Sequence, residues 1–299
     1  MPNYENLELK PLNYNSYLKV PELLSLQQEL SSPAHHDEMF FIIIHQAAEL
    51  WFKLMRHETA GMTEDLRVGS VSRALKRLRR IVGVMDLMVK QINLLNTLTP
   101  VEFAGFRDAL RPASGFQSIQ FRLIEFIYGI REPFFLQFFE NDPEKKAELE
   151  KVRCVPSVYD EFVRALAAAG YKVPEKLLKR DVSTPWEENE ELLQTLKEVY
   201  ENPQDNYHWV LLCETMLDFD EKFSIWRNVH MLMVARTIGM KMGTGGSAGY
   251  KFLAGRAEYK FFPELWTVRT LVGSGYGTPT EPAPGGGCPM GHGGGKPAT

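Results

Sequence analysis

Apolar residues recur along this chain at intervals of three and four rather than in alternation, a pattern that predicts helices and almost no strand. Residues 21–30 read as a short helix, with Pro21 in its first turn and Leu23, Leu24, Leu26 and Leu30 as apolar positions. Ser31, Ser32 and Pro33 interrupt the pattern. Asp37 and Glu38 then open a long helix carried to about residue 66, because carboxylates favour the positive end of a helix dipole. A second long helix covers about residues 72–98, apolar at Ile81, Met85, Met88, Ile92 and Leu95. Pro100 starts a short helix that contains Phe103, Phe106 and Arg107.

Pro112, Ala113, Ser114 and Gly115 break the chain, and residues 116–128 are helical again. Several shorter helices occupy 131–203, broken at Pro133, Pro143, Pro156, Gly170 with Pro174, and Pro185. The last long helix spans about 207–241 and ends in a glycine-rich segment, 243–249; residues 250–256 and 263–271 are helical. From residue 273 onward, 10 Gly and 5 Pro occupy 27 positions, too little apolar surface to offset the entropy of ordering. The expectation is an all-α protein: an N-terminal arm (1–11), one helical-bundle domain (12–272) with long core helices, and a disordered, flexible Gly/Pro-rich tail (273–299). No repeat of 20–50 residues and no sustained heptad seam is present, and every internal Pro/Gly cluster is too short to link two domains.

The 299 residues carry 34 Lys+Arg against 38 Asp+Glu, a formal net charge of −4. Such a chain has enough core to fold without disulfide or metal staples. Its cysteines, Cys154, Cys213 and Cys288, are too few and scattered for a disulfide framework or a structural zinc site, which suggests a reducing, cytoplasmic setting. Residues 1–10 show no charged-then-apolar signal pattern. The longest apolar block, residues 39–44, is six residues, whereas a membrane span needs about 20. A net acidic chain also lacks the field of a nucleic-acid binder. The local basic run Arg73, Lys76, Arg77, Arg79 and Arg80 reads as a solvated face, since Arg73, Arg77 and Arg80 share one side of a helix.

Among seven histidines no pair has the i, i+4 spacing of a zinc helix, and 243–249 lacks the Lys-Ser/Thr of a phosphate loop. Two histidines sit on apolar stripes. His45 follows Phe40-Phe41-Ile42-Ile43-Ile44, with Phe41 at i−4 and Glu49 at i+4. His230 has Trp226 at i−4, Phe223 at i−7, Met233 at i+3 and Val234 at i+4. An imidazole there needs a partner, because burying a polar group without one costs a few kcal/mol. The partner is either a backbone carbonyl or carboxylate, or else one histidine holds a metal or haem iron while the other faces a ligand. Haem suits a helical bundle with a single axial histidine. Arg107, after Phe103 and Phe106, is either a surface arginine or, beside a pocket, a bidentate carboxylate clamp.

Eight blocks occur in order over about residues 12–272: Tyr14-Asn15-Ser16-Tyr17-Leu18; His36-Asp37-Glu38; Phe41 to His45-Gln46; Glu49-Leu50-Trp51-Phe52-Lys53; Phe106-Arg107; Pro112 to Ser118; Trp226-Arg227 with His230; and Gly243 to Gly249. Together they resemble the haem-dependent tryptophan 2,3-dioxygenases. That resemblance implies haem b, ferrous in the active form, L-tryptophan and O2 as partners, and oxidative cleavage of the indole C2–C3 bond to N-formylkynurenine. It implies that His230 ligates the iron and that the distal His45 accepts the indole N–H. It also implies that Phe41 packs on the indole, Arg107 holds the substrate carboxylate, Thr244 binds the amino-acid end, and Ser114 and Gly115 line the haem pocket. Tyr14, Tyr17 and Leu18 would reach into a neighbouring subunit of a homotetramer. Phe103 stands beside the substrate where some family members carry a tyrosine, and Ala48 and Ala235 replace larger residues. The alternatives are a monooxygenase of the same scaffold acting on a tryptophan derivative such as β-methyltryptophan, and a haem sensor without turnover. Cys288-Pro289, near His292, reads as incidental in its Gly-rich surroundings.

Overall fold

The computed structural model describes residues 12–244, 249–256 and 258–273; the arm 1–11 and the tail from 274, with Cys288 and His292, lie outside the described residues, as do 245–248 and 257. The described residues form thirteen α-helices and no strand, in agreement with the expected all-α class. In chain order these are α1 (Tyr14–Leu18), α2 (Val20–Leu23), α3 (His36–Arg67), α4 (Val71–Leu94), α5 (Pro100–Arg107), α6 (Ile119–Ile127), α7 (Pro143–Arg153), α8 (Val158–Ala168), α9 (Glu175–Leu178), α10 (Glu190–Glu201), α11 (Tyr207–Ile238), α12 (Tyr250–Ala254) and α13 (Pro263–Thr267). No single helix among them is long and apolar enough to cross a membrane.

Three long helices make the frame. α4 packs against both α3 and α11, and the seam is filled by residues at helical spacing: Met55, Met62 and Leu66; Leu78, Ile81 and Met85; Met216, Phe219 and Phe223, all fully buried. Gly69, at φ +70°, turns α3 into α4. Local caps set several starts. Thr99 and Glu102 close a reciprocal capping box on α5, Ser118 caps α6, and Ser157 with Asp160 caps α8.

The structure departs from the sequence pattern at four places. The helix expected over 21–30 stops at Leu23. The following strap spends its backbone on α3: Leu30 and Ser31 N–H donate to Glu38 at 2.7 and 2.9 Å, and Gln46 Nε2 donates to the Leu26 carbonyl at 3.1 Å. The long helix expected to reach 241 ends at Ile238, because Gly239 adopts φ +59°, ψ −132°, open only to glycine. The 72–98 pattern closes as α4 plus a 3₁₀ turn, Leu95–Thr97. The arginine face is also more than solvated. Arg73 and Arg77 pair with Asp65 at 3.0 and 2.8 Å and Arg80 with Glu58 at 2.5 Å, and both carboxylates are buried on α3. α1 was not legible as a helix; a capping box between Asn13 and Ser16 starts it.

Candidate active site

A cavity of about 360 Å3 lies within this frame, lined from α3, α4, α5, α6, α11, α12 and the break at 114–118. Phe41, His45, Phe103, Arg107, Ser114, Gly115, His230 and Thr244, remote in sequence, all line it. Tyr14, Tyr17 and Leu18 do not: they sit on α1 with 74%, 71% and 46% of their surface exposed.

The two imidazoles are held differently. His45 Nδ1 lies 2.7 Å from the Phe41 carbonyl oxygen. A carbonyl only accepts, so Nδ1 carries the proton and Nε2 keeps its lone pair. The Phe41 ring, 4.1 Å away centre to centre, restrains the imidazole. Burial lowers the His45 pKa below its ordinary value, although the Phe41 carbonyl and the Glu49 charge pull it upward. His45 is thus a neutral acceptor. Part of its surface faces the open cavity while the protein packs round its other sides.

Among the described residues His230 makes no protein hydrogen bond through either nitrogen, and the Trp226 ring stacks on it at 5.4 Å. Burial, reinforced by His45 and Arg122, pushes its pKa down to about 4, so the ring is neutral at pH 7 with a lone pair to give. Among the described residues no three His, Cys, Asp or Glu gather to hold a bare ion. A lone neutral imidazole fits a metal that brings its own equatorial donors, as a porphyrin iron does.

The polar wall is cationic. Arg122 Nη1 and Arg227 Nη2 donate to the two oxygens of Glu125 at 2.5 and 3.2 Å, and Arg256 pairs with Glu132. Arg122 Nε and Arg256 Nη1 are buried without a hydrogen-bond partner. Burial lowers the pKa of Arg122 and of Arg227, with Glu125 opposing it. Arg122 also sits over the Phe135 ring at 3.9 Å. Three cavity-lining guanidiniums, two of them sharing Glu125, leave donor capacity suited to carboxylates at the rim of a planar group. The sequence reading missed this corner. The one available signal was Arg122 and Glu125 at i, i+3 inside the otherwise apolar α6.

Elsewhere on the cavity wall, Arg107 Nη2 donates to the Met242 carbonyl, and its Nε is buried and unpartnered. Thr244 Oγ1 donates to the Ala113 carbonyl at 2.6 Å, joining the glycine segment to the break before Ser114. Phe41, Phe103 and Phe106 lie 5.4–5.7 Å apart and form an aromatic wall beside Arg107.

The sequence profile described as tryptophan 2,3-dioxygenase matches residues 4–150 and 195–272. The chain belongs to the tryptophan 2,3-dioxygenase family. A relative named tryptophan 2,3-dioxygenase from Arthrobacter sp. (strain FB24) is 45% identical over 262 residues, covering 88% of this chain and 92% of the relative. One of the same name from Xanthomonas oryzae pv. oryzae (strain PXO99A) is 45% identical, covering 88% of each chain. Another, from Xanthomonas euvesicatoria pv. vesicatoria (strain 85-10), is 44% identical over 273 residues, 91% of each.

Proposed function

We propose that this chain cleaves the indole C2–C3 bond of L-tryptophan with O2 to give N-formylkynurenine, an oxidoreductase reaction that places both oxygen atoms in the product. The balance is closed: tryptophan plus O2 equals product, with no external reductant. The observation that carries the reading is the pair of unlike imidazoles on one cavity, His230 with no hydrogen-bond partner among the described residues and His45 with its lone pair left on Nε2.

Haem b fits the donor set. His230 would ligate the iron, Ser114 and Gly115 would line the macrocycle, and the spare donors of Arg122 and Arg256 would take its carboxylates. When bound in the ferrous state, haem supplies the O2 activation. The chain's own residues supply orientation. His45 Nε2 accepts the indole N–H; with a pKa below 6.5 it is too weak a base to remove that proton outright. Phe41 and Phe103 pack on the indole and exclude water, Arg107 exchanges the Met242 carbonyl for the substrate carboxylate, and Thr244 stays at the amino-acid end. The exposed α1 residues Tyr14, Tyr17 and Leu18 support a homotetramer in which this segment covers a neighbour's cavity, in the cytoplasm.

The deciding experiment mixes ferrous protein, L-tryptophan and ¹⁸O2 and counts label in the product by mass spectrometry. Two labelled oxygens in N-formylkynurenine are expected. A single oxygen would mean monooxygenation, and no product with haem bound would mean a sensor; either result overturns the proposal.

A further inference from the structure

Glu49 lines the cavity one turn beyond His45 on α3, yet nothing above gives it a task. It is heavily engaged. Ser118 Oγ donates to Oε1 at 2.5 Å, and Gln120 Nε2 donates to Oε2 at 3.0 Å and to the Glu49 backbone carbonyl at 2.9 Å. The Ser118 hydroxyl also accepts the Phe121 N–H at 3.3 Å and so caps α6. One carboxylate thereby joins the His45 turn of α3 to the start of α6 and to the break that carries Ser114 and Gly115.

We infer that Glu49 is a positioning residue for His45: through Ser118 and Gln120 it fixes how far the distal imidazole stands from the wall formed by 114–118. The physical argument is one of leverage. A helix turn facing an open cavity has no packing on that side, so its position depends on whatever anchors it laterally. Carboxylate-to-hydroxyl and carboxylate-to-amide hydrogen bonds are the short, strong kind that hold such an anchor. The Nδ1 bond to Phe41 sets the orientation of the ring within α3, but it cannot set where α3 sits relative to α6. Glu49 does that. The proposal rests on His45 being the indole acceptor.

The test is a double-mutant cycle in haem-loaded protein: wild type, Glu49→Gln, His45→Ala and the double variant, with kcat and KM for L-tryptophan measured in each. Gln keeps the shape of Glu but presents an amide N–H₂ to donors that need acceptors. Glu49→Gln is expected to lower kcat by about tenfold with KM little changed, and to cost less than about twofold once His45 is already Ala. An equal loss in both backgrounds overturns the inference while leaving His45's role intact. A His45→Ala variant with unchanged kcat overturns that role and the inference with it. If Glu49→Gln does not fold, Ser118→Ala removes the donor to Oε1 and is carried through the same cycle, where additive losses overturn the inference equally.

Discussion

His45 donates through Nδ1 to the carbonyl of Phe41, 2.7 Å away, and the same residue's ring lies 4.1 Å from the imidazole. One phenylalanine thus fixes both the tautomer and the tilt of the histidine, and the free Nε2 is an acceptor by construction. His230 is its opposite, a neutral ring with neither nitrogen hydrogen-bonded among the described residues.

From this contrast the two histidines should fail differently. His45→Ala loses an orienting hydrogen bond, roughly 1.5–3 kcal/mol and so about 10- to 150-fold in kcat/KM, but retains turnover. His230→Ala removes the imidazole proposed to ligate the iron and should abolish turnover. Steady-state kinetics on both variants after haem reconstitution check this; comparable losses would contradict it.

The acid limb of activity follows from the sign of the His45 shift. The residue works in its neutral form, and burial lowers its pKa below 6.5. The midpoint of protonation, and with it of the acid limb in kcat/KM, should therefore lie below 6.5, with activity rising through it toward neutrality. A pH profile of kcat/KM with a limb at 6.5 or higher would contradict the assignment.

Arg107 should act through binding. Arg107→Ala removes a charge-assisted contact to the substrate carboxylate, a loss of roughly 1.5–3 kcal/mol felt mainly in KM. Arg107→Lys keeps the charge without the planar fork and should recover only part of it. Titration of L-tryptophan into each variant measures the loss, and a change confined to kcat would rule out the clamp.

Glu125 is the shared acceptor of two buried guanidiniums, Arg122 and Arg227. Glu125→Gln leaves their charges uncompensated in a nearly dry site, so it should destabilise the fold by about 3–5 kcal/mol. Denaturant unfolding of the variant against wild type reads the difference; an unchanged midpoint would mean that other groups neutralise the corner.

Much of the site was legible because it is local. Phe41, His45 and Glu49 fall four residues apart, and so do Trp226 and His230; a 3.6-residue period places each set on one helix face whatever the fold. The helix start at Pro100 was likewise written in residue type, whereas the stop at Gly239 and the caps at Thr99 and Ser118 emerged only in the structure. The cationic corner was not legible. Arg122, Arg227 and Arg256 come from three segments, and each alone looks like an ordinary exposed charge. The strap at 26–30 misled for the same reason: its leucines have helical spacing, but the Glu38 carboxylate and Gln46 amide of α3 capture the backbone groups that a helix would need.

Residue order alone settles the all-α class, the long helices and which side chains share a turn, since these depend on steric and hydrogen-bonding preferences within a few residues. It cannot say which helix faces which, which side chains close on one cavity, or that α1 leaves Tyr14, Tyr17 and Leu18 outside it. Those follow from α3 and α11 packing on α4, because burial and hydrogen-bond partnership are properties of contacts between segments far apart in the chain.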